Sequence, residues 1–400
     1  MKIFSIDHLI STVFVFLILI FLPVIFNLDF MDPIQNTIED FYVTDIVFSK
    51  IRDNDDVSKD TNIVLVNISN LNRKGIAKQI QILNRYDPLA IGIDGFFRDK
   101  KGKEQDMPLM AAFASTDDLV LVSDLKETDS TNSGFDTLHT SHEIFNRYAE
   151  TGFANFVIKK GDFRTVRTFS PSEYVRDSLE LSFPLKLASK LYPDKTNEFM
   201  QRENDLEIIN FKRNIDKYIT LDAVELFEKR DDLDFIRGKL VLMGFLGPKL
   251  GDLVKEDIFF TPMNEQFVGK SYPDMYGVVV HANIISMIGE EDYLNSTEDW
   301  VNILITFLLV YILMSLFTYV RTKFPDWYEP VSVMMIFAFL FVIFWVIVAM
   351  FHFFKTELML REAFFAITIS GMGYEGYKDS LKPISINYYR KLKRFFGRKK

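Results

Sequence analysis

The chain contains no cysteine, and this absence excludes both disulfide bridges and thiolate metal sites. The fold must therefore be stabilised by its packed core, which a chain of this size can supply. Histidine is also scarce, with five in 400 residues. No serine lies in a recognisable nucleophile motif, and His139, His142 and Glu143 have the wrong order for a metalloprotease helix. We therefore expect no enzyme, no metal site and no cofactor.

Charged residues are missing from three long stretches, which makes those stretches candidates for membrane spans. The runs Leu9–Leu28, Trp300–Val320 and Val331–Phe354 contain no Asp, Glu, Lys or Arg. About 20 apolar residues are needed to cross the hydrocarbon core of a membrane. Because no small-residue cleavage site follows the first run, we interpret it as an uncleaved signal anchor.

A fourth run, Glu357–Tyr377, is ambiguous because its first turns carry three charged residues. Nine basic residues and one acidic residue follow it, and basic flanks prefer the cytoplasm. Four spans keep this tail inside, whereas three would place it outside. We therefore predict a multi-pass protein of the bacterial inner membrane with both termini in the cytoplasm. The predicted organisation is a transmembrane anchor (1–28), a periplasmic domain (29–299), two to three transmembrane helices (300–377) and a basic cytoplasmic tail (378–400).

The charge distribution restricts the partners. The net charge is −9 for the whole chain, although the tail alone contributes +8. An acidic outer block argues against nucleic-acid binding. The tail interleaves basic and aromatic residues, which suits a helix lying on the anionic lipids of the inner membrane. The alternative is a solvated tail that only sets topology. The predicted membrane-surface residues are Arg390, Lys391, Lys393 and Arg394.

The outer block has the pattern of an α/β domain with a mainly parallel sheet. Short β-branched runs at Ile63–Ile68, Leu89–Asp94 and Lys239–Gly244 are typical of strands that are buried on both faces. Helical periodicity over Gly75–Tyr86, between the first two runs, indicates a parallel crossover unit. We also expect a polar surface excursion over 123–150, a hairpin from Phe153–Ile158 and Thr165–Phe169, a strand at Leu206–Phe211, and a strand-like run, Val278–Ala282, leading into a helix.

Four polar residues are candidates for one ligand-binding crevice: Asp94, Asp252, Thr261 and His281. Asp94 ends a buried strand, and open α/β sheets bind ligands at the carboxyl ends of their strands. Asp252 follows a strand through a glycine-containing loop that can present backbone N–H groups. In the alternative interpretation, the aspartates cap helices or loops and His281 is a hydrogen-bonded core residue. The glycine spacing matches no nucleotide-binding motif.

An ordered series of motifs runs from about Ile38 to Leu294. It comprises Thr44-Asp45-Ile46-Val47-Phe48, Ile91-Gly92-Ile93-Asp94-Gly95-Phe96-Phe97, Gly152-Phe153-Ala154-Asn155, Gly161-Asp162-Phe163-Arg164, Gly238–Gly244, Asp252, Thr261-Pro262 and Gly277–Asn283. The series resembles the second type of CHASE domain, an extracellular sensor associated with bacterial cyclases and histidine kinases. Asn67 and Ser69 stand where the first strand of that family usually ends in acidic residues. The usual cytoplasmic output domain is also missing.

The resemblance implies a periplasmic sensor domain. We therefore predict a sensory or regulatory subunit that signals through a separate, unidentified membrane or cytoplasmic protein. The sequence does not determine the oligomeric state, and a homodimer is one possibility. The alternative function is a structural scaffold in a cell-envelope complex. A transporter is disfavoured because the spans contain few polar residues.

Overall fold

The chain divides into two compact units. Asn36–Leu294 forms one, here called the sheet unit, and Met1–Gln35 with Asn295–Lys400 forms the other, here called the helical unit. A computed structural model describes residues 5–25, 42–52, 56–126, 135–156, 165–252, 254, 256–264 and 272–397.

The strands are short except for two. They are β1 Asp60–Asn67, β2 Ala90–Ile93, β3 Leu119–Lys126, β4 Thr137–His139, β5 Glu150–Phe153, β6 Thr168–Phe169, β7 Ser172–Val175, β8 Ser178–Leu181, β9 Glu207–Ile208, β10 Tyr218–Leu221, β11 Leu240–Gly244, β12 Ile258–Phe259, β13 Met275–Tyr276, β14 Asn295–Ser296 and β15 Thr356–Glu357.

The helices are α1 Ile6–Ile25, α2 Arg73–Leu83, α3 Lys103–Ala114, α4 Glu143–Asn146, α5 Phe183–Leu191, α6 Pro193–Met200, α7 Ala223–Glu228, α8 Gly277–Glu290, α9 Asp299–Lys323, α10 Tyr328–Phe354, α11 Arg361–Glu375 and α12 Lys382–Gly397. A π-helical turn, Val47–Ile51, precedes β1, and another, Gly376–Leu381, joins α11 to α12.

The sheet unit is built on a seven-stranded sheet with the order β10-β1-β11-β2-β3-β4, and β5 also pairs with β3. All of these pairs are parallel except β3 with β4. Asn67 pairs with Gly244, and Met243 pairs with Ile93, so the central strands end level with one another. The predicted mainly parallel sheet is confirmed.

Helices cover both faces of the sheet, which explains why its strands are continuously apolar. One face packs against α2, α3 and α7 through a single buried cluster that includes Val64, Ile80 and Phe113. The other face packs against α5 and α8. On that face Gly92 is required, because a Cβ there would lie 2.5 Å from Leu187 Cδ1.

Several local expectations for the sheet unit were wrong. The run Val278–Ala282 lies inside α8, which already begins at Gly277. Residues 123–150 are not one surface excursion, because β3 extends to Lys126 and both β4 and α4 follow. Strands β5 and β6 form no hairpin with each other, since β5 pairs with β3 and β6 pairs with β9. The predicted turn at residues 157–164 lies outside the described residues.

The helical unit contains two helical segments that are long and apolar enough to cross a membrane, Asp299–Lys323 and Pro325–Phe354. The shorter helix α11 packs against α1, α9 and α10. Its Gly373 allows a close approach to α1, because a Cβ there would lie 2.6 Å from Val15 Cγ2.

Polar contacts fix the ends of the helices within the helical unit. In the first turn of α1, Asp7 accepts hydrogen bonds from Tyr377 and Lys382, at 2.8 and 2.6 Å, and from Lys378. Near the end of α9, Arg321 pairs with Asp379 at 2.7 Å. The start of α1 and the ends of α9 and α11 therefore meet. Helices α9 and α11 run in the same direction, and α1 runs opposite to both.

Candidate functional site

The candidate site lies at the carboxyl edge of the parallel sheet, where β2 ends. The N–H of Asp94 donates to the Met243 carbonyl of the neighbouring strand at 2.8 Å, which fixes the backbone beneath the carboxyl group. Helix α8 packs on the face of the sheet that α5 also covers, and it brings His281 to this edge. Asp94 and His281, which are far apart in the sequence, thus lie close together at the carboxyl edge of the sheet. Ligands of open α/β sheets bind at this edge.

Asp94 and His281 face each other without a hydrogen bond. Asp94 Oδ2 lies 4.0 Å from His281 Nε2, and the two side chains are 15% and 2% exposed. The other ring nitrogen, His281 Nδ1, has no hydrogen-bond partner within the described part of the chain. The structure therefore brings together two of the four predicted site residues, and it does not support the alternative of a hydrogen-bonded His281.

Aromatic rings enclose the imidazole of His281. The ring of Phe156 stacks on it at a centroid distance of 4.8 Å, and Phe183 meets it edge-on at 5.2 Å. Phe259 packs in turn against Phe156 at 5.1 Å. Phe156 and Phe259 are half-buried, so the crevice has an apolar lining next to its polar groups.

The environment of the crevice shifts the pKa of both central groups. Burial raises the pKa of Asp94, and the negative charge of Asp257 raises it further. Burial lowers the pKa of His281 to about 3. Each shift favours the uncharged form, because a charge loses solvation when it is buried. The surroundings therefore favour the neutral form of both groups.

Asp257 was missed by the sequence interpretation. Its carbonyl accepts from the N–H of Gly277, the first residue of α8, at 3.1 Å. A Cβ built on Gly277 would lie 3.2 Å from Asp257 Oδ1, which places this carboxyl group against the start of the helix. Asp257 adopts a left-handed backbone conformation (φ 54°). Nothing in the local sequence distinguished it from the neighbouring charged residues, because its role depends on where α8 begins.

The remaining two predicted site residues have structural contacts. Asp252 is exposed, and its carbonyl accepts from the Tyr276 hydroxyl at 2.5 Å. Thr261 donates to Asp274 through its N–H at 2.8 Å and through its hydroxyl at 2.5 Å. Neither Asp252 nor Thr261 has a hydrogen bond to Asp94 or His281. Both instead hold the chain that leads into α8.

Asn67 is also fully engaged at the carboxyl edge. Its Nδ2 donates to Asp222 at 2.9 Å and to the Gly247 carbonyl at 3.0 Å, while its Oδ1 accepts from the N–H groups of Ser69 and Leu246. This side chain ties together β1, the loop after β10 and the loop after β11. It therefore shapes the edge and leaves no group for a ligand.

A separate surface cavity of about 270 Å³ contains none of the predicted site residues. Its lining is basic, and the charge is only partly compensated. Lys74 pairs with Glu104, and Arg85 and Arg230 share Asp231. Lys78 lies over the ring of Phe227, so the cavity keeps some positive charge. Its lining residues are Lys74, Ala77, Lys78, Gln81, Ile82, Arg85, Pro108 and Arg230.

A second polar cluster joins the two ends of the sheet unit. Asn210 is 3% exposed. Its Oδ1 accepts from Arg52 at 2.9 Å, and its Nδ2 donates to the Asp292 carbonyl at 2.9 Å. Arg52 also donates to the Phe211 carbonyl at 2.7 Å. We call Arg52, Asn210 and Asp292 the clasp, since they connect the segment before β1 to the segment after α8.

A buried ion pair fixes the segment 42–52, here called the entry segment. Arg167 donates to both carboxylate oxygens of Asp45, at 3.1 and 2.6 Å, and the two side chains are 6% and 2% exposed. The guanidinium also lies over the ring of Tyr42 at 4.3 Å. The entry segment is therefore held to the body of the sheet unit at two points, this pair and the clasp.

The predicted membrane-surface residues lie on α12. Arg390 is exposed, and the side chains of Lys391, Lys393 and Arg394 lie outside the described part of the structure. Earlier on the same helix, large apolar side chains are exposed as well, namely Ile384, Ile386, Tyr388 and Tyr389. Helix α12 thus presents both basic and apolar side chains.

Comparison with known proteins identified one family. The model of the CHASE2 domain matches residues 12–317, which is well over half of the chain. No curated protein and no solved structure matches the chain. The match includes the candidate crevice, the clasp, the entry segment and most of α9.

Proposed function

Because the chain belongs to the CHASE2 family of extracytoplasmic sensor domains, we propose that its sheet unit is a periplasmic sensor that signals through a separate partner protein. In this proposal the crevice at Asp94 and His281 receives the stimulus. The role is regulatory and non-catalytic. The helices that follow the sheet unit carry the response to the cytoplasmic side of a bacterial inner membrane.

One observation carries this proposal: α8 connects the crevice to the clasp. The helix has 14 residues and is buried from Gly277 to Ile288. At 1.5 Å per residue it is about 21 Å long. His281 lies near its start, and Asp292 of the clasp follows its end. A packed helix moves as a rigid body, so a shift at the crevice would reach the clasp and the chain leading to α9.

Hydrogen exchange tests this transmission in the full chain reconstituted in lipid. We expect Asp94→Asn to change amide exchange at residues 290–294, because the crevice and the clasp are linked through α8. In an Asn210→Ala background that response should disappear. Asn62→Ala is the matched control, since this exposed side chain donates only to Tyr192. If Asp94→Asn leaves residues 290–294 unchanged, α8 does not transmit the signal.

The membrane placement that we propose has four crossings and both termini in the cytoplasm. It is supported by the helical unit, where the start of α1 meets the end of α11 through Asp7, Lys378 and Lys382. Two helices whose opposite ends meet cross a membrane in opposite directions. Four crossings by α1, α9, α10 and α11 satisfy this arrangement and keep the basic tail inside.

The absence of native cysteine makes this topology simple to test. Single Ser178→Cys and Lys400→Cys variants can be exposed to a membrane-impermeant maleimide in cells with a permeabilised outer membrane. We expect labelling of Ser178→Cys alone, with both sites labelled after lysis. Labelling of Lys400→Cys in unlysed cells would show three crossings or an inverted topology.

The partner and the lipid contact are proposed to involve α12. Its exposed apolar residues and its basic residues suit a helix that rests on anionic lipid and leaves one side for a protein. In the chain reconstituted in anionic vesicles, replacing Arg390, Lys391, Lys393 and Arg394 with glutamine should raise amide exchange in α12 and reduce recovery of a co-purifying protein. A stable, stoichiometric set of envelope proteins retained by this variant would instead favour a scaffold.

A further inference from the structure

The crevice holds carboxyl groups that lack a positive partner. Within the described residues, no Lys or Arg pairs with Asp94 or with Asp257. Two buried carboxylates elsewhere in the sheet unit do have one. Asp106 pairs with Arg73 at 2.5 Å, and Glu207 pairs with Arg202 at 2.6 Å. Asp94 is 15% exposed, whereas Asp257 is exposed. A largely buried carboxylate without a positive partner is costly, so Asp94 gives the crevice a preference for a cation.

His281 is a second, independent polar group at the crevice that lacks a hydrogen-bond partner. The side chain is 2% exposed, its Nδ1 has no partner in the described structure, and its Nε2 faces Asp94 across 4.0 Å. Burial keeps the imidazole neutral, since it lowers the pKa to about 3. A neutral imidazole neither repels a cation nor neutralises Asp94, and one of its two nitrogens can accept a hydrogen bond.

We propose that the crevice binds a small organic ammonium ion, held by the carboxyl groups of Asp94 and Asp257 beside the aromatic side chains of Phe156 and Phe259. This inference rests on the proposed function and specifies its ligand class. The ammonium N–H groups would donate to Asp94, and the alkyl part would lie against the rings. Binding of the cation would favour the charged form of Asp94.

Other ligand classes fit the crevice less well. An anion would face Asp94, Asp257 and the neighbouring Glu256 without a compensating Lys or Arg among the described residues. A zinc ion takes at least three protein ligands, and the described residues contain no group of three His, Cys, Asp or Glu side chains able to hold one. A neutral alcohol would leave the carboxyl groups without a counter-charge.

Binding of three probes of matched size to the full chain in detergent tests the ligand class. The probes are n-butylammonium, n-butanol and butyrate, and the readouts are calorimetric affinity and the unfolding temperature. We expect binding and thermal stabilisation by butylammonium alone. Asp94→Asn should weaken its affinity at least tenfold. Asp87→Asn is the matched control and should change affinity less than twofold, because Asp87 lies before the opposite end of β2 and pairs with Arg237.

Several outcomes would overturn the inference. One is preferential binding of butyrate, and another is equal binding of all three probes. A third is an equal loss of butylammonium affinity in Asp94→Asn and in Asp87→Asn. If Asp94→Asn fails to fold, Phe156→Leu provides a second test, because losing a ring face should weaken a quaternary ammonium probe such as tetramethylammonium by about fivefold. An unchanged affinity in Phe156→Leu would also overturn it. The hydrogen-exchange coupling through Asn210 does not depend on the ligand, so failure of the ligand class and failure of the sensor proposal are distinguishable.

Discussion

Breaking the buried pair between Asp45 and Arg167 should destabilise the sheet unit strongly. The side chains are 2% and 6% exposed and share two hydrogen bonds. Asp45→Ala would leave the guanidinium buried without its counter-charge, and such truncations cost about 3–5 kcal/mol. For a domain of this size, that loss corresponds to roughly 6–20 °C in the unfolding temperature. Thermal unfolding of the detergent-solubilised chain, followed by circular dichroism, measures it.

Two further variants separate the cost of an unpaired charge from simple loss of contacts. The double variant Asp45→Leu with Arg167→Met removes both charges, so it should recover a large part of the lost stability. Glu225→Gln removes a solvent-screened pair with Lys229 and should leave stability nearly unchanged. If Asp45→Ala costs no more than Glu225→Gln, or if the double variant is worse than Asp45→Ala, the reasoning fails.

Three other changes have clear expected outcomes. Gly152→Ala should cost about 1–3 kcal/mol in chemical denaturation, because its Cβ would lie 2.6 Å from the backbone of Phe183, whereas Gly95→Ala meets nothing closer than 3.9 Å and should be tolerated. Burial of neutral His281 should lower stability by about 2 kcal/mol between pH 7 and pH 5, since the unfolded imidazole binds a proton near pH 6.5 and the folded one near 3. His281→Phe should abolish this part of the pH dependence, and an unaltered pH profile would contradict the assignment. Asp94→Asn should be more stable than the native chain at pH 8, because a raised carboxyl pKa makes stability fall as the pH rises above about 4. A less stable Asp94→Asn at pH 8 would argue against a buried, unpaired carboxyl group.

The central sheet could be predicted because its strands are buried on both faces. The runs at Ile63–Ile68, Leu89–Asp94 and Lys239–Gly244 coincide with β1, β2 and β11, with boundaries that agree within a few residues. Continuous β-branched sequence of this kind is characteristic of parallel strands covered by helices. The parallel crossover from β1 through α2 to β2 follows from the helical periodicity between the first two runs.

The same reasoning failed for α8 for a physical reason. Its first twelve residues are all buried, between the sheet and neighbouring helices. A helix that is buried on every side has no polar face, so its sequence loses the periodicity that identifies helices. The run Val278–Ala282 therefore has the pattern of a buried strand. Length would have been the better indicator, because apolar residues continue to Ile288.

The crevice could be predicted only in part. The proximity of Asp94 and His281 could be predicted because each stands at a junction in the pattern of strands and helices, and their role in ligand binding stays a prediction. Asp257, Phe156 and the clasp could not be found, because long-range packing brings these residues together. Asn210 and Arg52 are ordinary polar residues in the sequence, and only the fold places one between the two ends of the sheet unit.

The polar residues at the carboxyl edge fall into two groups, and the difference indicates where a ligand can act. Asn67 and Thr261 use their side chains in hydrogen bonds to the protein. A carboxylate in place of Asn67 could not donate to Asp222 and would repel it, which explains why an amide is suited to this position. Among the described residues, Asp94 and His281 have no such bonds, although both are largely buried. The unsatisfied polar groups at the end of β2 are therefore where we propose that the ligand binds. Because α8 starts beside them and leads to the clasp, the proposal predicts that occupancy of the crevice shifts residues 290–294.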